Sequence, residues 1–203
     1  MKKFFITLIT LVVLSLQSQA AVGDWKIYMS YSEPQQIQET GNYLFVQASN
    51  SLYLYNKNDQ SIQTFDKTTG MSDVVVTNIS WNQKAKRLVV VYDNSNIDLI
   101  DLQGNVTNVP DLYNKSMTED KTVNSIVNND KYAYIATNFG GIKLNVSAAE
   151  ISESYLLGQS IKRFAVSGST IYALNTQNKA ISAPLYANLQ DKANWTSVTT
   201  YPA

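Results

Sequence analysis

The chain has 203 residues, 44% of them apolar and 16% charged, with no histidine and no cysteine. That balance belongs to a globular protein. The missing histidine removes the commonest metal ligand, the usual general base near neutral pH and every Ser/His or Cys/His nucleophile pair, while the missing cysteine removes disulfides, thiolate chemistry and the usual zinc sites.

Taken in order, the chain opens on Met1-Lys2-Lys3, an apolar run over residues 4–14, and small residues at Ser18, Ala20 and Ala21. This is the pattern of a secretory signal peptide over residues 1–20, cleaved after Ala20. Its apolar run is far short of the roughly 20 residues that span a bilayer, so no membrane anchor is expected in the mature chain. No cysteine follows the run, which excludes a lipid-modified N-terminus. Removing Lys2 and Lys3 from 16 basic residues leaves 14 against 16 acidic ones, a net charge of about −2. Lys84, Lys86 and Arg87 form the densest basic group and read as a solvated turn before a strand, so nucleic acid is not an expected partner.

Residues 21–203 are organised by repetition. Ala133-Tyr134-Ile135-Ala136-Thr137-Asn138-Phe139-Gly140-Gly141-Ile142-Lys143-Leu144 repeats a design found 45 residues earlier at residues 88–99 and again at residues 43–54, so that Leu52, Ile97 and Ile142 coincide. In each copy an apolar run meets small or polar turn residues, after which apolar side chains alternate with others, as in a β-hairpin. Around these hairpins the alternation predicts units of four short strands over residues 36–68, 74–109, 122–157 and 161–203. The linker from 110 to 121 reads as an exposed polar loop, and Asn128-Asn129-Asp130 as a turn. Residues 24–31, led by Trp25, match residues 194–201, led by Trp195; each reads as the outer strand of a unit. No window sustains a helical apolar period. The expectation is an all-β partial propeller of about four four-stranded blades, the N-terminal portion of a larger one.

Several phrases resemble a known family. Gly70-Met71-Ser72-Asp73 resembles the Gly-Leu-Ser-Asp linker of two-component-regulator propellers, and residues 92–100, 133–145 and 150–158 resemble consecutive phrases of the N-terminal β-propeller of PorZ-like type IX secretion proteins. Ser95 stands where the family phrase has glycine. The resemblance implies a non-enzymatic envelope or cell-surface scaffold in the attachment complex at the outer membrane, with envelope proteins and surface lipopolysaccharide glycan as partners and no cofactor. The sensor ectodomain of a hybrid two-component regulator is the alternative, and a carbohydrate-active propeller enzyme a weaker one.

Candidate sites give no catalytic, cofactor or metal residue, and the ligand-binding residues stay unknown. Asp93-Asn94-Ser95-Asn96-Ile97-Asp98 has oxygen ligands but not the spacing of a calcium loop, because Ile97 falls on an alternate position; it reads as a hairpin turn. Glu119 with Asp120, and Glu150 with Glu153, are the carboxylate pairs that glycoside hydrolysis would need, and nothing in the sequence brings either pair together. Tyr28, Tyr31, Tyr53, Tyr55, Tyr132 and Tyr134 fall on predicted strands, where packing between blades competes with stacking on sugar rings.

Overall fold

In the computed structural model, the described residues are 30–202, so the signal peptide and the predicted strand led by Trp25 lie outside them, apart from Ser30 and Tyr31. The described chain is all-β, built of four four-stranded antiparallel sheets. Blade A holds β1 (Pro34–Thr40), β2 (Tyr43–Ala48), β3 (Ser51–Asn56) and β4 (Ile62–Phe65); blade B holds β5 (Val76–Asn82), β6 (Arg87–Tyr92), β7 (Ile97–Ile100) and β8 (Val106–Val109). Blade C holds β9 (Val123–Asn129), β10 (Tyr132–Thr137), β11 (Gly140–Asn145) and β12 (Glu150–Leu156); blade D holds β13 (Ile161–Ser167), β14 (Thr170–Asn175), β15 (Ala180–Pro184) and β16 (Thr196–Val198). Strand order within every sheet follows the chain. Consecutive blades meet through their first strands, β1 beside β5, β5 beside β9 and β9 beside β13, the arrangement of a partial propeller.

Alternation explains why the sheets stack. In blade B, Val89, Val91, Ile97 and Leu99 project to one face and pack with Ala133, Ile135, Ile142 and Leu144 of blade C. The opposite set, including Leu88, Val90, Tyr92 and Ile100, packs with Phe45, Leu52, Leu54 and Phe65 of blade A. Because β6 and β7 are buried on both faces, they read as nearly continuous apolar runs. The third seam joins Tyr134, Ala136 and Tyr155 of blade C to Phe164, Ile171 and Ala173 of blade D.

The glycine pair of the repeat has two separate reasons. Gly140 has φ +139°, and a Cβ there would lie 2.1 Å from the Tyr155 carbonyl oxygen. Gly141 has Phe164 seated where its Cβ would be, 2.4 Å from Cε2. The first permits the strand to start, and the second permits the next blade to approach. In blade A the hairpin turn, which corresponds to Asn138-Phe139 of blade C, is Ser49-Asn50, both at positive φ (45° and 67°), the geometry of a two-residue type I′ hairpin.

First strands have no backbone neighbour on their inner side, and amide side chains tie them together. Gln36 of β1 donates to the Thr77 carbonyl and accepts from the Ile79 amide, both at 3.0 Å, and Gln38 accepts from the Trp81 amide at 3.0 Å. Asn128 of β9 donates to the Trp81 carbonyl at 3.1 Å, and Asn124 donates to the Ile161 carbonyl at 2.8 Å. Polar edges that would otherwise be open to pairing are thereby satisfied.

Three predictions need correction. Asn128 and Asn129 belong to strand β9, and the turn falls at Asp130 (φ 51°) with Lys131, because Asn128 is held in the strand by the neighbouring blade. The linker after β8 is not wholly an exposed loop: Asp111–Asn114 form one turn of helix that buries Leu112 to 1% exposure. The last outer strand is confined to Thr196–Val198, and Tyr201 lies beyond it, its ring 5.4 Å from the Arg163 guanidinium.

Candidate functional site

All four central hairpin turns share one end of the blades with the linkers that carry the chain from each blade to the next. The Asp93 amide donates to the Val75 carbonyl at 3.0 Å, the Asn138 amide to Thr122 at 3.1 Å, and the Thr176 amide to Ser160 at 3.3 Å, each joining a hairpin to the linker before its blade. This end is the candidate interaction face, since turns and linkers carry the side chains that the stacked sheets leave free.

At the A–B seam the linker is anchored by a buried carboxylate. Asp98 on β7 is fully buried and accepts from the Ser72 amide at 2.8 Å, the Ser72 hydroxyl at 2.7 Å, the Asn108 amide at 2.9 Å and the Tyr92 hydroxyl. Burial, followed by the Asp98 carboxylate, pushes the Tyr92 hydroxyl pKa well above the tyrosine range. The two phrases that resemble the family, the Gly70 linker and the run from Tyr92 to Ile100, thus meet at one carboxylate. Upstream, Asp66 caps the short 3-10 turn Lys67–Thr69, and Gly70 ends it at φ +101°. Asp98 is therefore a structural latch whose oxygens face the linker, and the residues of the weighed calcium loop point to different partners: Asn94 donates to Asp73 at 2.6 Å, and the Ser95 hydroxyl donates to the Lys121 carbonyl at 2.9 Å. Ser95 has φ 66°, the left-handed region, which accounts for glycine at that place in the family phrase.

The weighed acid pairs are held by separate local partners. Asp120 accepts from the Thr122 amide and hydroxyl (2.9 and 2.6 Å) and from Asn138 (2.6 Å), and these donors, Thr122 first, hold its carboxyl below the usual carboxylate range. Glu119, beside it, is exposed. Glu153 pairs with Lys143 at 2.9 Å and accepts from Tyr155 at 2.8 Å, whereas Glu150 is exposed at the start of β12. Burial pulls the Lys143 pKa down, but the hydrogen bond and charge of Glu153 outweigh it, leaving a net rise. Of the weighed tyrosines, Tyr134 is buried in the C–D seam, Tyr132 lies under the Lys143 ammonium at 4.6 Å, and Tyr31 meets Tyr53 edge-on at 5.7 Å. Tyr53 and Tyr55 are half-buried, and Tyr28 lies outside the described residues. Lys84, Lys86 and Arg87 surround the β5–β6 turn, with Arg87 donating to the Val146 carbonyl at 3.3 Å.

The C–D seam differs at the same end. Its linker, residues 157–160, has four residues, and beside it opens a cleft of about 420 Å³ lined by Glu119, Asp120, Asn138, Phe139, Leu156, Gly158, Gln159, Ser160 and Lys192. Its floor is a fixed amide network. Asn138 accepts from Asn124 (2.9 Å) and Ser160 (2.7 Å), and Gln159 accepts from Asn175 (2.8 Å). Of its lining only Glu119 and Asp120 were flagged from sequence, because its walls come from four separated segments.

Stacked four-stranded meanders tied at their inner edges and joined by anchored linkers define the described chain as a run of β-propeller blades. Residues 44–196 match the family model described as the type IX secretion system PorZ N-terminal β-propeller domain, and the chain belongs to that family. The solved structure of PorZ, a surface component of the type IX secretion system of Porphyromonas gingivalis, is 30% identical with a TM-score of 0.80, over 87% of this chain and 24% of that one. The extracellular domain of a one-component system from B. thetaiotaomicron shares the fold at 18% identity and a TM-score of 0.64, over 88% of this chain and 23% of that one. AztD from Citrobacter koseri does so at 15% and 0.59, over 82% and 46%. No curated protein sequence matches. The chain thus spans about a quarter of the length of the PorZ structure it matches.

Proposed function

We propose that the protein is a non-enzymatic scaffold module of the type IX secretion attachment complex, exported to the cell surface and presenting the hairpin-and-linker end of its blades to envelope proteins. The observation that carries this reading is family membership across residues 44–196, joined to 30% identity with PorZ, itself a surface component of that system. The weighed acids support a non-catalytic role, since Glu153 is paired with Lys143 and accepts from Tyr155, while Glu150 stands exposed at the start of β12. No helix among the described residues is long and apolar enough to cross a membrane. The sensor-ectodomain alternative rests on fold alone.

The test is an affinity-tagged full-length product of the locus, expressed from its own promoter, cross-linked in intact cells and purified from the envelope. Recovery of the other attachment-complex components is expected. Recovery of none of them, with the tagged protein exported normally, overturns the assignment.

A further inference from the structure

We infer that the cleft at the C–D seam is a binding site for a compact zwitterion of peptide type, whose ammonium is taken by Glu119 and Asp120 and whose carboxylate is taken by Lys192 and Gln159. This goes beyond the scaffold role and stands or falls separately from it. The volume of about 420 Å³ lies within the range of small-molecule clefts.

The charges carry the chemical class. Two carboxylates and one ammonium line a single cleft, yet Lys192 forms no salt bridge within 4.0 Å with any carboxylate among the described residues, and neither does Glu119 or Asp120 with any cation. Opposite charges that line one cleft without pairing are complementary to a ligand that carries both charges at its ends. The acid side has a fixed member. Asp120 is tied to Asn138 in the β10–β11 turn at 2.6 Å, while the Lys192 ammonium stands over Gly158, 3.0 Å from where a Cβ would lie. Gln159 uses its carbonyl oxygen on Asn175, and its Nε2 has no hydrogen-bond partner among the described residues, which leaves a donor in the same cleft as Lys192. Leu156, 46% exposed, adds an apolar surface to the lining that suits an aliphatic side chain.

The floor is preorganised. Asn138 is held by Asn124 and Ser160 and itself donates to Asp120 Oδ2, which keeps a second lone pair open to an ammonium, so binding need not order them, and only the exposed side chains of Glu119 and Lys192 lose freedom. An open cleft covers only part of a ligand, which sets the expected Kd on the order of 1 mM.

The experiment is a titration of the ¹⁵N-labelled full chain with the dipeptide alanyl-leucine, followed through the side-chain amides of Asn138 and Gln159. N-acetylated dipeptide, dipeptide amide and glucose are the comparators. Saturable shifts are expected with the free dipeptide, weakened at least about fivefold by blocking either terminus. Glu119→Gln should abolish the discrimination against the acetylated form, and Lys192→Met the discrimination against the amide; both residues are exposed, so the fold is retained. The inference is overturned by the absence of saturable shifts up to about 20 mM, by equal binding of the capped forms or glucose, or by shifts that leave these two amides untouched.

Discussion

The A–B and B–C seams, compared with the C–D seam, show how one repeat makes both closed and open junctions. The first two linkers occupy residues 66–75 and 110–122, and each drives an apolar side chain into its seam: Met71 in one, Leu112 in the other. At the C–D seam the linker has four residues, and the outer side is covered by the excursion at residues 185–195 between β15 and β16. There Leu189 is buried, and Trp195 meets Tyr155 and Phe164 with ring centroids 6.3 Å from each. Seam closure is thus a property of connecting segments, while the sheets supply the stacking that all three seams share.

The largest effect expected in testing that contrast is from Asp98→Ala, which strands the Ser72, Asn108 and Tyr92 donors in a dry interior. A loss of about 3 kcal/mol in urea unfolding is expected, with the Ser72 amide losing its hydrogen-exchange protection while amides at the C–D seam keep theirs. Trp195→Ala should cost a similar or slightly smaller amount, about 3 kcal/mol, and raise exchange at the C–D seam alone. Leu112→Ala removes a buried side chain from the B–C linker and should cost about 2 kcal/mol, whereas Leu156→Ala, at an exposed position, should change stability by less than about 0.5 kcal/mol. If the two leucines behave alike, the distinction between a filled seam and an open one fails.

The smallest effect concerns pH. Because the fold lowers the Asp120 pKa, its hydrogen bonds contribute fully above the ordinary carboxylate pKa and fade as pH falls through the depressed value. A carboxyl-detected NMR titration should place Asp120 below the ordinary carboxylate range, and Thr122→Ala should move it upward, since Thr122 supplies the largest share of the shift.

Much of the architecture was legible because apolar alternation recurs at a near-constant spacing, and Leu52 and Ile97 do occupy equivalent places on the third strands of their blades, each facing the next blade. Ile142 does not, since it lies one residue further along its strand and faces blade B, and the equivalent place in blade C is Gly141, against Phe164 of blade D. What escaped sequence reasoning depends on partners distant along the chain. Asp98 was visible only as a possible calcium ligand; its partner Ser72 is 26 residues away, although an acid inside a strand as apolar as Ile97–Ile100 was itself a sign of buried pairing. Asn128 has turn chemistry, and its place in a strand is explained by partners on the neighbouring blade: it donates to the Trp81 carbonyl and the Ser80 hydroxyl and accepts from the Asn82 side chain. The one-turn helix Asp111–Asn114 is too short to show a period. The cleft at the C–D seam draws on residues from 119 to 192; Glu119 and Asp120 stood out as an acid pair, but the residues that join them there, from Asn138 to Lys192, lie too far along the chain to be connected with them.

The amide ties at the inner edge give the assembly a simple means of adjustment. Glutamine spans the A–B junction and asparagine the two that follow, so the reach from one blade to the next is set by a side chain that differs by one methylene. Exchanging Gln36 for asparagine would draw on a shorter arm at that junction and alter the wedge between two sheets without touching either sheet's own ladder, which makes curvature about the axis adjustable one residue at a time.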